Sequence, residues 1–82
     1  MKGDAVNVRD AIREMVRLAH NSIRATSLAM GRSSNFLSTT LVKGSSPTAP
    51  TLALIARVCG YSLALVPSGV ELPAGSIIID AE

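Results

Sequence analysis

The sequence predicts a mainly α-helical domain: a four- to five-helix bundle that contains a helix-turn-helix and carries a short C-terminal β-hairpin. Three observations predict it. Apolar residues recur at three- and four-residue spacing through most of residues 5–60. Gly31 interrupts that pattern between two short segments, and glycine is the residue type best able to take the left-handed backbone of a tight interhelical turn. Beyond Gly60 the periodicity gives way to two β-prone runs, Ser62–Pro67 and Ser76–Asp80, joined by a connection bearing Pro and Gly. The organisation that follows is a helix-turn-helix domain over residues 1–60 and a β-hairpin over residues 61–82.

The first helix is expected from about residue 5 to 20, because Ala5, Val8, Ile12, Met15 and Ala19 fall on one face, with Asp4 as N-cap and His20-Asn21 at the end. Arg9, Arg13 and Arg17 stand four apart and make one stripe along it. With Asp10 and Glu14 beside it, such a stripe is the pattern of a solvated helix face. Ser22 caps a second helix that runs through Met30 and buries Ile23, Ser27 and Met30; Ser27 supplies a small residue where the next helix must approach closely. The third helix is expected over residues 33–42, capped by Ser33-Ser34, with Phe36, Leu37, Thr40 and Leu41 inward and short polar side chains outward. Lys43-Gly44-Ser45-Ser46-Pro47 is loop chemistry. Thr48 caps a fourth helix that accepts Pro50 in its first turn, buries Leu52, Ile55, Ala56 and Cys59, and ends at Gly60.

Eighty-two residues make one small domain. With 48% hydrophobic residues but only 2% aromatic, its core must be built from Ala, Leu, Ile and Val. No apolar run approaches the ~20 residues that span a bilayer, and the start of the chain reads as an amphipathic helix, not a signal sequence. The single cysteine, Cys59, lies in a core stripe, so a buried, reduced thiol in a cytoplasmic protein is expected. The net charge of +2 is too small to identify a partner. Its distribution says more: Arg9, Arg13, Arg17, Arg24 and Arg32 precede the third helix, whereas Glu71, Asp80 and Glu82 make the C-terminal third acidic.

Catalysis needs converging titratable groups, and this chain has one His, one Cys and one Tyr, with no sequence reason for them to meet. His20 falls at a helix end, where it suits the dipole. No Cys/His cluster exists for a metal and no glycine-rich phosphate loop follows a strand, so neither an enzyme nor a cofactor-binding protein is expected.

The residues around Gly31 and those from Pro47 to Gly60 resemble the lambda-repressor-like (Xre/Cro/CI) DNA-binding domains, over residues 8–60. Gly31 matches the turn glycine of that family, Ser27 the usual alanine four before it, and Leu37 the aliphatic residue six after it. Pro47-Thr-Ala-Pro-Thr-Leu52-Ala-Leu-Ile55-Ala56-Arg-Val-Cys-Gly60 is similar to the fourth-helix signature of Pro, Thr-Leu, Ile-Ala and Gly, which fixes several spacings at once. The chain departs at Thr26, where Leu is usual, in a segment from Leu37 to Gly44 one residue longer than typical, and in lacking the glutamate often found late in the third helix.

The resemblance implies a sequence-specific regulator of transcription, a repressor of prophage or Xre type, whose third helix enters the major groove of double-stranded DNA. Carried over, it nominates Ser33, Ser34, Asn35, Ser38 and Thr39 for the bases. Asn35 is the strongest of these, since a carboxamide can bond adenine N6 and N7 together. Arg24, Arg32, Lys43, Ser22 and Ser45 are the candidates for phosphate contacts. The alternative is an antitoxin or other protein-interaction module, with a toxin protein as partner; the small, uncharged outward side of the third helix suits a groove better than an apolar surface.

Three successive isoleucines, Ile77, Ile78 and Ile79, place large apolar groups on both faces of the second strand. Either the hairpin folds back on its own helices or it pairs with its copy in a second chain. The second reading makes Leu63, Leu65, Ile77, Ile78 and Ile79 a homodimer interface, which would set DNA half-sites about one helical turn apart.

Overall fold

The computed structural model describes residues 5–44 and 46–79. Four helices follow in order, α1 (Val8–Leu18), α2 (Ile23–Ala29), α3 (Phe36–Lys43) and α4 (Ala49–Val58). They enclose one core of Ile12, Met15, Val16, Met30, Leu37, Leu41, Leu52, Ile55, Ala56 and Cys59. The expected α4 stripe is buried as a whole, and Ile12, Leu37 and Ile55 are wholly inaccessible. Helix α1 buries Ala11 and Val16 beyond the expected set, while Ile23, Phe36 and Thr40 are only half-buried. No helix of the described residues is long and apolar enough to cross a membrane.

Helix α1 is shorter than expected at both ends. The expected Asp4 cap lies outside the described residues; the cap is Asn7, whose Oδ1 accepts from the Asp10 N–H at 2.8 Å. Residues 5–7 are not helical because Val6 is drawn into an isolated parallel bridge with Ile79, its N–H donating to the Ile78 carbonyl at 2.9 Å. At the other end His20 adopts φ 56°, and the N–H groups of His20 and Asn21 donate to the carbonyls of Arg17 and Val16. This is a Schellman closure with histidine in the left-handed position. The same closure ends α2, where Gly31 (φ 77°) and Arg32 bond back to Leu28 and Ser27, and α4, where Gly60 and Tyr61 bond back to Arg57 and Ala56.

The expected start of α3 is corrected. Ser33 and Ser34 lie in the turn before the helix; Asn35 occupies the N-cap position without a side-chain cap bond, and α3 begins at Phe36. The physical reason is a cap supplied from α2. The wholly buried Ser27 hydroxyl accepts from the Leu37 N–H at 3.0 Å and donates to the Ile23 carbonyl at 2.9 Å. Leu37 is the second residue of α3, whose N–H an N-cap side chain would otherwise bind. Ser22 caps α2 as expected, accepting from Ala25 N–H at 3.0 Å. Thr48 stands at the N-cap of α4, with Pro50 in the first turn, but its hydroxyl donates to the Thr51 hydroxyl and accepts from no backbone N–H of the helix.

The C-terminal hairpin is absent among the described residues, and no fifth helix is found there. Pro67 and Pro73 open two separate turns, closed by Val70 N–H to Pro67 O and Ser76 N–H to Pro73 O, so the two β-prone runs do not align. A lone two-stranded ribbon has little stability in water, and Val6 takes the pairing position beside Ile79. Residues 61–79 instead form an extended strap beside the face made by Ala11, Met15, Leu52 and Ala56, with a half-open cleft of about 520 Å3 between them. Asp80, the end of the expected second strand, lies outside the described residues.

Candidate nucleic-acid interface

The α2–turn–α3 unit positions the nominated side chains. Its Schellman turn at Gly31 fixes the backbone, and a Cβ built on Gly31 would meet nothing within 4 Å, so glycine is favoured there by φ and not by crowding. The Ser27–Leu37 bond then holds the first turn of α3 against α2. With Leu37 and Leu41 buried, Asn35, Ser38, Thr39 and Val42 share the opposite side of α3 and are exposed. Ser34 is half-buried and Ser33 exposed.

Three of these side chains are already partnered. The Ser33 hydroxyl donates to Asn35 Oδ1 at 2.9 Å, orienting the carboxamide with its N–H donors free, and the Ser38 hydroxyl donates to the Asn35 carbonyl at 3.1 Å. The face is therefore uncharged, polar except at Val42, and conformationally restrained at its N-terminal end. Arg32 lies beside it with its guanidinium carbon 5.1 Å from the centroid of the Phe36 ring, an arrangement that restrains a long cation at the exposed surface.

The cations divide into two groups. On α1, Arg13 pairs with Asp10 at 3.6 Å and Arg17 with Glu14 at 2.6 Å, both exposed. The Arg17 fork bonds both Glu14 oxygens, which holds the Glu14 carboxyl below its ordinary 4.5 and pushes Arg17 further up. Arg9 leaves the stripe: a Cβ on Gly44 would lie 3.3 Å from its Nη1, which puts the guanidinium at the C-terminal end of α3, where a positive charge suits the helix dipole. By contrast Arg24, Arg32 and Lys43, together with Arg57 on α4, are exposed and have no carboxylate within 4 Å among the described residues. The acceptor oxygen of Ser22 is committed to its own helix, and Ser45 lies outside the described residues.

Two features escaped the sequence reading. Ser27 was legible as a small packing residue but not as the cap of a helix ten residues away. Val42 carried no assignment; its face was nevertheless recoverable from the spacing of 35, 38, 39 and 42. The buried Cys59 packs as expected, its thiol pushed up by burial. Among the described residues no three His, Cys, Asp or Glu side chains group as a metal site.

What stands on the described residues is a small four-helix all-α domain whose second and third helices are locked by one buried hydroxyl. Comparison with family models, with curated proteins and with solved structures returns no match to this chain.

Proposed function

We propose that this domain is a sequence-specific double-stranded DNA-binding regulator of transcription that lays α3 in the major groove. The observation that carries the reading is the α3 surface itself. Ser27 fixes α3 on α2 from behind, leaving Asn35, Ser38 and Thr39 outward, with Arg32 before them, Lys43 after them and Arg24 exposed on α2, none of the three in an ion pair among the described residues. An α-helix with its side chains is ~10–12 Å across, which fits the ~12 Å width of the major groove, and the eight residues of α3 run about 12 Å along it. The resemblance to lambda-repressor-like domains, carried by Gly31, Ser27, Leu37 and the Pro47–Gly60 segment, supports the same use and is the only ground for "repressor".

In this reading Asn35 reads a base, its carboxamide donors left free by the Ser33 bond. Arg32, restrained on Phe36, meets a phosphate, as do Arg24 and Lys43. The face has no Arg, Lys or Gln to add a bidentate contact, so a single copy binds weakly and affinity depends on two copies. Leu63, Leu65, Val66, Val70, Leu72 and Ile78 are exposed on the strap, and the backbone around Leu63–Val66 has no ladder partner among the described residues. That apolar edge supports a homodimer, with Ile77 and Ile79 completing its inner side. The same exposed residues are the one observation that favours the second reading, a protein-interaction module or antitoxin holding a toxin protein.

Titration of labelled duplex by anisotropy at several salt concentrations separates the roles. Asn35→Ala is expected to lose discrimination at one or two base pairs, on the order of 1–3 kcal/mol for the preferred base. Arg32→Ala is expected to weaken all sequences alike and reduce the salt slope by about one. Equal losses on specific and non-specific DNA for Asn35→Ala would remove it as a base reader.

A further inference from the structure

Val42 is 85% exposed in the last turn of α3, on the same outward face as Ser38 and Thr39 and next to the cation Lys43. An isolated valine at that exposure gains nothing for the fold, since Leu37 and Leu41 already fill the inward side of the helix. Its surroundings are wrong for an apolar protein partner: the same face carries Asn35, Ser38 and Thr39, and the nearest charges are positive. They are right for a duplex, whose phosphates would meet Arg24, Arg32 and Lys43 while one apolar group, the thymine C5-methyl, stands in an otherwise polar groove.

We infer that Val42 is a specificity-determining residue that contacts a thymine methyl, an inference that rests on the DNA-binding reading of α3. Asn35 and Val42 lie seven residues apart on one face, about 10 Å along the helix axis. Because the groove is inclined to the duplex axis, that separation spans at most about three steps of ~3.4 Å. The half-site therefore contains a thymine within about three base pairs of the base read by Asn35, and Val42 rejects cytosine there, which lacks the methyl.

The test replaces each thymine of the bound duplex by deoxyuracil, one at a time, which deletes the methyl and keeps every hydrogen-bonding group. Affinity is measured for the full chain and for Val42→Ala, a substitution too exposed to disturb folding; matched thermal melts check this. One thymine-to-uracil change is expected to weaken the wild type about fourfold, the worth of one buried methyl group, and to leave Val42→Ala unchanged. Uniform insensitivity to methyl deletion, or equal sensitivity in both proteins, overturns the inference while leaving DNA binding in place. If Val42→Ala instead abolishes self-association in sedimentation and methyl deletion has no effect, the side chain belongs to a contact between copies and the inference fails. Failure to retain any duplex overturns the DNA-binding reading itself, a result distinguishable from both.

Discussion

Ser27→Ala removes a single oxygen, and the structure specifies what that oxygen does. It accepts from the buried Leu37 N–H at 3.0 Å and stands in for the missing cap of α3. Alanine leaves that N–H in the core with no acceptor, at a cost of ~1–3 kcal/mol. Alanine also forms helix better than serine by roughly 0.5 kcal/mol, which offsets part of it. The expected net loss is about 1.5 kcal/mol, which for a domain of this size lowers Tm by about 10 °C. Thr26→Val is the control. Thr26 is equally buried, but its hydroxyl donates at 2.8 Å to the Ser22 carbonyl, which already accepts from the Thr26 N–H. Deleting that donor orphans no backbone group, so the isosteric change is expected to cost under ~0.5 kcal/mol. Thermal and urea unfolding followed by circular dichroism measures both. A Ser27→Ala protein as stable as wild type, or a Thr26→Val loss of equal size, would refute the claim that α2 caps α3.

Three further outcomes are expected. His20→Gly relieves a non-glycine side chain at φ 56° and is expected to raise stability by about 1 kcal/mol, read in the same melts; an unchanged or lower midpoint contradicts the strain argument. The Glu14 carboxyl is held below 4.5 by the Arg17 guanidinium, so the pair stabilises the fold above the carboxyl's unfolded pKa and that contribution disappears as pH falls through the lower folded value. Glu14→Gln is therefore expected to melt slightly below wild type at pH 7, with the two curves converging under acid; a gap that persists at low pH would assign the difference elsewhere. Leu65 is completely exposed in the single chain, so Leu65→Asp is expected to leave the monomer fold intact and to abolish self-association in light scattering at tens of micromolar. An unchanged mass for wild type and variant alike would remove Leu65 from any interface between copies.

The parts of the fold that were legible in the sequence are those fixed by local chemistry. The α4 stripe of Leu52, Ile55, Ala56 and Cys59, the Ser22 cap and the glycine stops at Gly31 and Gly60 follow from helical periodicity and backbone preference alone. The errors are non-local. The start of α3 moved because its cap comes from Ser27, and sequence inspection sought that cap among its immediate neighbours. Hairpin and strap contain the same β-prone residues; the choice between them turned on Val6, more than seventy positions away, taking the edge beside Ile79. Periodicity placed Arg9 with Arg13 and Arg17, but it reports which residues share a face and not that Gly44 of another helix would sit against one of them. The candidate site was legible as a face for the same reason that α4 was. Its N-terminal restraint, through Ser33, Asn35 and Arg32 on Phe36, was not, because each contact is made in the turn.

The most direct test of a DNA-binding α3 is selection from a randomised duplex pool at about physiological salt, with sequencing of the retained fraction. The account predicts an enriched palindrome with half-sites about one helical turn apart, lost on Asn35→Ala at one or two positions only. A folded protein that enriches no sequence would contradict it.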